Sequence, residues 1–127
     1  MRVLDFPHES IVITALGSPG PGGAPHEYEI AVRSPDDDEF YASHGQHKNI
    51  VECRISFQNG PLVNGWNGII DEALIAIVLD RLECFQCGPF PHFENERAIT
   101  KLQVAMQSMG ARKRERAARG VLGTHHG

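Results

Sequence analysis

The sequence predicts an α+β protein in which an N-terminal antiparallel β-sheet is followed by a C-terminal antiparallel two-helix hairpin. Three observations predict it. Apolar residues alternate with period two as far as Phe57, the period becomes helical after Gly68, and only the link "GPFPH" at residues 88–92 separates the two helical stretches. A chain of 127 residues is expected to be a single domain, with a β-rich part over residues 1–64 and an α-helical hairpin over 65–127.

The elements follow in order. Residues 2–6 read as a weak strand, and "SIVITAL" at 10–16 as a strand rich in β-branched residues. Prolines and glycines in "GSPGPGGAP" at 17–25 exclude a regular element there, so a loop is expected. Tyr28, Ile30 and Val32 then interleave with Glu27, Glu29 and Arg33, and Val51, Cys53, Ile55 and Phe57 interleave with Glu52, Arg54 and Ser56. Both stretches are expected to be half-buried strands. Between them, "SPDDDE" at 34–39 reads as a turn solvated by its charges, and "HGQH" at 44–47 matches no element.

Asp71 and Glu72 mark a helix N-terminus and Gly88-Pro89 its end, which predicts a helix running to Cys87. Its middle, "ALIAIVL" at 73–79, is apolar on every face, so one face is expected to meet the sheet or the other helix and another a second subunit. The second helix should start at Phe93 or Glu94 and run to about Arg119. Ile99, Leu102, Met106 and Met109 form its apolar stripe, and Gly120 its cap. Gly110 costs about 1 kcal/mol against alanine inside a helix, which predicts a close helix contact or a slight bend there.

Composition excludes several functions. The longest apolar run, residues 73–79, is far shorter than the roughly 20 residues that span a bilayer, and Asp5 interrupts the N-terminus before a secretory apolar segment develops. A cytoplasmic location is expected, with Cys53, Cys84 and Cys87 as free thiols. The segment "RKRERAAR" at 112–119 sets five cations against Glu115, a local charge of +4, which leaves −8 on the rest of a chain whose total is −4. Such a surface repels a long nucleic acid, whereas a small anion can be held in one basic spot.

Cys84-x-x-Cys87 is the one obvious chemical motif. It falls in the last turn of a helix, where the dipole raises a thiol pKa, and neither His92 nor Cys53 supplies a second paired knuckle for zinc. The two sulfurs are expected to be small buried hydrophobes, and neither a metal nor a cofactor is implied. No nucleophile elbow, dinucleotide fingerprint or Walker loop occurs, so no catalytic residue is assigned. Arg112, Arg116 and Arg119 share a helix face at i, i+4, i+7. That face is open to two readings: a solvated end that complements the helix dipole, or a set of planar forks for phosphate oxygens. The same helix in a nucleic-acid-binding regulator, or in an assembly or scaffold protein, is the alternative in a different functional class. In an antiparallel hairpin Arg112 lies near the start of the first helix, about four turns from Phe85. One chain does not easily join the two, and an antiparallel partner subunit does.

The stretch 57–125 resembles the hairpin family of phage anti-defence proteins, comprising the Thoeris anti-defence sponge of the first type and the smaller anti-CBASS sponge of the second type. The resemblance rests on "FQNGP" (57–61), "NG" (67–68), "DEALIAIVLDRL" (71–82), "FQCGPF" (85–90), "ENERAITKL" (94–102) and "RKRERAARGVLGTH" (112–125), in that order. The strand-rich N-terminal half favours the Thoeris branch. The resemblance implies a protein that is not an enzyme, acting in the bacterial host cytoplasm during phage infection. It implies binding of cyclic nucleotide immune signals of the glycocyclic ADP-ribose type, held intact at pockets between subunits of a homodimer or of a hexamer built as a trimer of dimers. In some members a separate site takes CBASS cyclic di- or trinucleotides. It assigns Phe85 to stacking on adenine, Asn95 to the pocket wall, Arg112 and Arg116 to the phosphates, and Thr124 and His125 to the second nucleotide site. Phe93, Gln103 and Ser108 depart from the family pattern, which has an arginine, a glutamate and a large residue at those positions.

Overall fold

A computed structural model of the chain describes residues 1–118. They form two compact units, Met1–Asn59 and a second beginning at Gly60. The first is built on a four-stranded antiparallel meander: β1 (Arg2–Val3), β2 (Ile11–Leu16), β3 (Glu27–Arg33) and β4 (Asn49–Ser56), in the spatial order β1-β2-β3-β4. Alternation sets the faces. The register places Ile13 opposite Ile30 and Ile30 opposite Cys53, with Ala15, Tyr28 and Ile55 in a parallel row. Thr14, Glu29 and Arg54 form a row on the other face, where Arg54 bridges Glu29 at 3.5 Å. Ala15 and Ala31, 2% and 3% exposed, are the buried points of the two central strands.

Three expectations for this unit change. The segment 34–39 is not a solvated turn, because it leads into α1 (Asp37–His44) and buries Ser34 and Asp37, each 8% exposed. Asp37 accepts the Lys48 backbone N–H at 2.6 Å through one oxygen and the His47 ring N–H at 3.0 Å through the other. The Lys48 hydrogen bond leads in holding its carboxyl below the usual value; burial opposes it, and His47 adds to it. The acidic run therefore does two things a turn would not: it favours the helix N-terminus and clasps the entry to β4. The unplaced "HGQH" is the end of the same helix. Gly45 takes the left-handed conformation at φ 72° and donates its N–H to the Tyr41 carbonyl at 2.8 Å, and His47 stacks on Tyr41 at 4.5 Å.

The third change is in β4, expected to be half-buried. Ile50 is 59% and Val51 52% exposed, and Cys53 is exposed as well. Alternation reports which residues share a face and not whether anything covers it, and β4 has a strand neighbour on one side only.

The second unit opens with a 3-10 turn at Leu62–Asn64 and continues into α2 (Asp71–Gln86) and α3 (Phe93–Ala118). Asp71 and Glu72 lie in the first turn of α2, and Cys87 caps it one residue before Gly88. Ile99 is buried, and Leu102, Met106 and Met109 are half-buried, so the stripe read from the sequence is the packing face of α3. Around Gly110 the near atom among the described residues is Nη1 of Arg114, 3.3 Å from where a Cβ would stand. A flexible side chain of its own helix, and not a neighbouring helix, is what approaches it. Gly120 lies outside the described residues. No helix among the described residues is long and apolar enough to cross a membrane.

No residue of α2 is buried, and Ile77 is 57% exposed. Cys84 and Cys87 are free and exposed, against the expectation of two buried hydrophobes. A helix apolar on every face that packs on one neighbour has apolar residues left over, and both thiols fall among the uncovered positions.

Candidate ligand site at the two ends of the hairpin

The turn end of the hairpin is organised by Gln86. Its side-chain oxygen accepts the His92 backbone N–H at 2.9 Å and the Asn95 side-chain amide at 3.0 Å, while its amide donates to Glu96 at 3.0 Å. One residue at the end of α2 thus ties down the link and the first turn of α3. His92 caps α3, its Nδ1 accepting the Glu94 N–H at 3.0 Å. Asn95, half-buried, is positioned by this network. Phe85 stands beside Gln86 in sequence but outside its hydrogen bonds: the residue is 48% exposed, and the Arg81 guanidinium lies 5.4 Å from the ring centroid. Arg81 and Phe85 are one helical turn apart, so the i, i+4 spacing already held this cation–π contact. Phe90 and Phe93 are exposed at the same end.

The open end has another chemistry. Lys113 on α3 forms an ion pair with Glu72 in the first turn of α2, which closes the hairpin where the chain has no link. Burial works against ionisation of Glu72, but the Lys113 hydrogen bond, a backbone hydrogen bond and the ammonium charge outweigh it and hold the carboxyl below its ordinary value. Lys113 is therefore engaged within the chain and is not a free ligand cation. Arg112 is exposed and Arg116 half-buried, one turn apart on α3. Arg119, Thr124 and His125 lie outside the described residues.

The chain therefore brings Phe85 and Asn95 together at one end and Arg112 and Arg116 at the other. The 13 residues from Glu72 to Phe85 rise by about 20 Å. A compact ligand cannot touch both ends of one hairpin. Gln86 and Arg81 are the residues that sequence reasoning missed. Arg81 was visible in its spacing, whereas the Gln86 contacts cross from α2 to α3 and leave no local pattern.

The Acb2/Tad1 hairpin domain matches residues 49–113. The match begins at the first residue of β4 and includes Phe85, Asn95 and Arg112, with Arg116 three residues beyond it. The chain is also similar to Thoeris anti-defense 1 of Bacillus phage SBSphiJ7, with 38% identity over 113 residues, covering 80% of each protein. With a matched domain over half the chain and a relative of this identity, the chain belongs to the Acb2/Tad1 hairpin family.

Proposed function

We propose that this chain is a phage anti-defence protein that binds a cyclic nucleotide immune signal of the glycocyclic ADP-ribose type in the host cytoplasm and sequesters it without breaking a bond. The observation that carries the reading is the 38% identity, over 80% of the chain, to a protein named for anti-defence against Thoeris. The hairpin supports it chemically. Phe85 offers an exposed ring face, and stacking a base on an aromatic ring contributes about 1–3 kcal/mol. Arg112 and Arg116 offer planar forks, which grip phosphate oxygens in pairs. Asn95, held by Gln86 at the same end of the hairpin, is assigned to the pocket wall.

The separation of ring and forks along one hairpin makes a second subunit part of the reading. An antiparallel neighbour brings its open end to the first chain's turn end and joins the two chemistries. The exposed apolar positions of α2, Ile77 and Val78 among them, supply surface for that contact. The functional unit is then a homodimer, and a trimer of dimers makes a hexamer. A second site for CBASS cyclic di- or trinucleotides involves Thr124 and His125.

The test is recovery. The protein is incubated with the signal, freed of unbound ligand and heat-denatured, and the released material is identified by mass spectrometry. Intact signal is expected; linear or hydrolysed product overturns sequestration, and no retained signal overturns binding. Native mass spectrometry of the same sample reads the subunit number.

A further inference from the structure

We propose that the free edge of β4 is a twofold pairing surface, on which the same edge of a second copy of this chain docks in an antiparallel register centred on Cys53. Among the described residues β4 ends the sheet and pairs only with β3. An edge strand presents a row of backbone donors and acceptors, which folded proteins blunt by short length, proline or bulges. The opposite edge, β1, is blunted by being two residues long. β4 has eight residues and no proline, and its irregularity lies at its start, opposite Val32 and Arg33. From Val51 to Ser56 the edge is regular.

Backbone parity states which residues face outward. The Phe57 N–H donates to the His26 carbonyl at 2.6 Å, continuing the register in which Ser56 opposes Glu27. Opposed residues in an antiparallel ladder alternate between bonded and non-bonded pairs. Ile55, Cys53 and Val51, in step with Phe57, therefore turn their backbone groups toward β3, and Ser56, Arg54 and Glu52 turn theirs to the open edge.

The side chains then select a register. About Cys53 the strand reads Val51, Glu52, Cys53, Arg54, Ile55: apolar, acid, thiol, base, apolar. Self-pairing at this centre sets Glu52, which accepts the Asn49 side-chain amide at 2.9 Å, against Arg54 of the second copy, whose exposed guanidinium also bridges its own Glu29 at 3.5 Å, and the reverse, at the very residues whose backbone groups are available to bond. Parity permits shifts of the centre by whole residues, and the nearest ones move it to Glu52 or to Arg54. The first opposes two carboxylates and the second two guanidiniums, and like charges directly opposed on neighbouring strands destabilise the pairing. The interface is thus isologous, each contact occurring twice. It also covers Ile50 and Val51, the exposed apolar residues of β4, and continues the row Ile13, Ile30, Cys53 into the second copy.

Cys53 reports on the arrangement. At the centre it forms a non-bonded pair with its twin, Cα atoms about 4.5 Å apart, within the span a disulfide accepts. The full chain carrying Cys84→Ala and Cys87→Ala, with Cys53 as its remaining cysteine, is treated with diamide, which oxidises two thiols to one disulfide and is itself reduced to the hydrazine. A disulfide-linked dimer that reductant dissolves is expected. Glu52→Arg and Arg54→Glu, each added alone, should slow cross-linking by about tenfold. The double exchange should restore it, and so should mixing the two single variants, which then form mixed dimers. Absence of the cross-link overturns the proposal. So does a rate that ignores the single exchanges, or a double variant and a mixture that both stay slow. Because Cys53 lies outside the hairpin, this result is independent of signal capture and of contacts made by α2.

Discussion

The two ends of the helical hairpin are closed by different chemistry. At the turn end, hydrogen bonds of the Gln86 side chain to the His92 backbone, Asn95 and the Glu96 carboxylate fix the link and Asn95, and Phe85 is left exposed. At the open end the Glu72–Lys113 ion pair holds the helices together beside Arg112 and Arg116. An ion pair is screened by salt and titrated by acid more strongly than a hydrogen bond with a neutral amide. The two halves of the proposed purine-phosphate site therefore stand apart on one hairpin, the ring at the end tied by Gln86 and the forks at the end closed by the ion pair.

The largest effect should come from removing both halves. Phe85→Ala combined with Arg112→Ala is expected to weaken signal capture by about two to four orders of magnitude, since stacking contributes about 1–3 kcal/mol and a charge-assisted hydrogen bond about 1.5–3. Titration calorimetry reads the loss. If only one of the two changes mattered, the ends would not belong to one site. Next, Phe85→Ala alone should cost about 5- to 150-fold in affinity with oligomer size unchanged, and Phe85→Trp should retain most of the binding. Gln86→Ala removes three contacts at the turn. It should lower stability by about 1–2 kcal/mol in urea unfolding.

The smallest effect belongs to the ion pair. Glu72 has its carboxyl held below the ordinary 4.5, so its contribution is complete above that pH and is lost as pH falls through the lowered value. Lys113→Met should remove under about 1 kcal/mol at neutral pH. It should also flatten the acid limb of the stability profile relative to the parent chain. Equal acid sensitivity in the two proteins would assign that limb to other carboxylates.

Much of this architecture was legible because punctuation and period are local. Asp71, Glu72, Gly88 and Pro89 bracket α2 to within a residue, and the stripe from Ile99 to Met109 is the face that packs. What escaped was non-local. The tie from Asp37 to Lys48 spans 11 residues, so an acidic run that builds a helix looked like a solvated turn. The exposure of Val51, Cys53, Cys84 and Cys87 depends on the absence of a covering neighbour, which no alternation pattern records. In the candidate site, the family resemblance pointed to Phe85, Asn95, Arg112 and Arg116, and antiparallel packing explained their separation. The Gln86 network that orients Asn95 was hidden because its partners lie across the turn.

The Asp37 carboxylate, gripping the Lys48 amide and the His47 ring, makes the excursion between β3 and β4 a closed bight with its own knot. Asp37 begins α1 and the tie sits one residue before Asn49 enters opposite Arg33, so helix start and strand re-entry are fastened by one side chain.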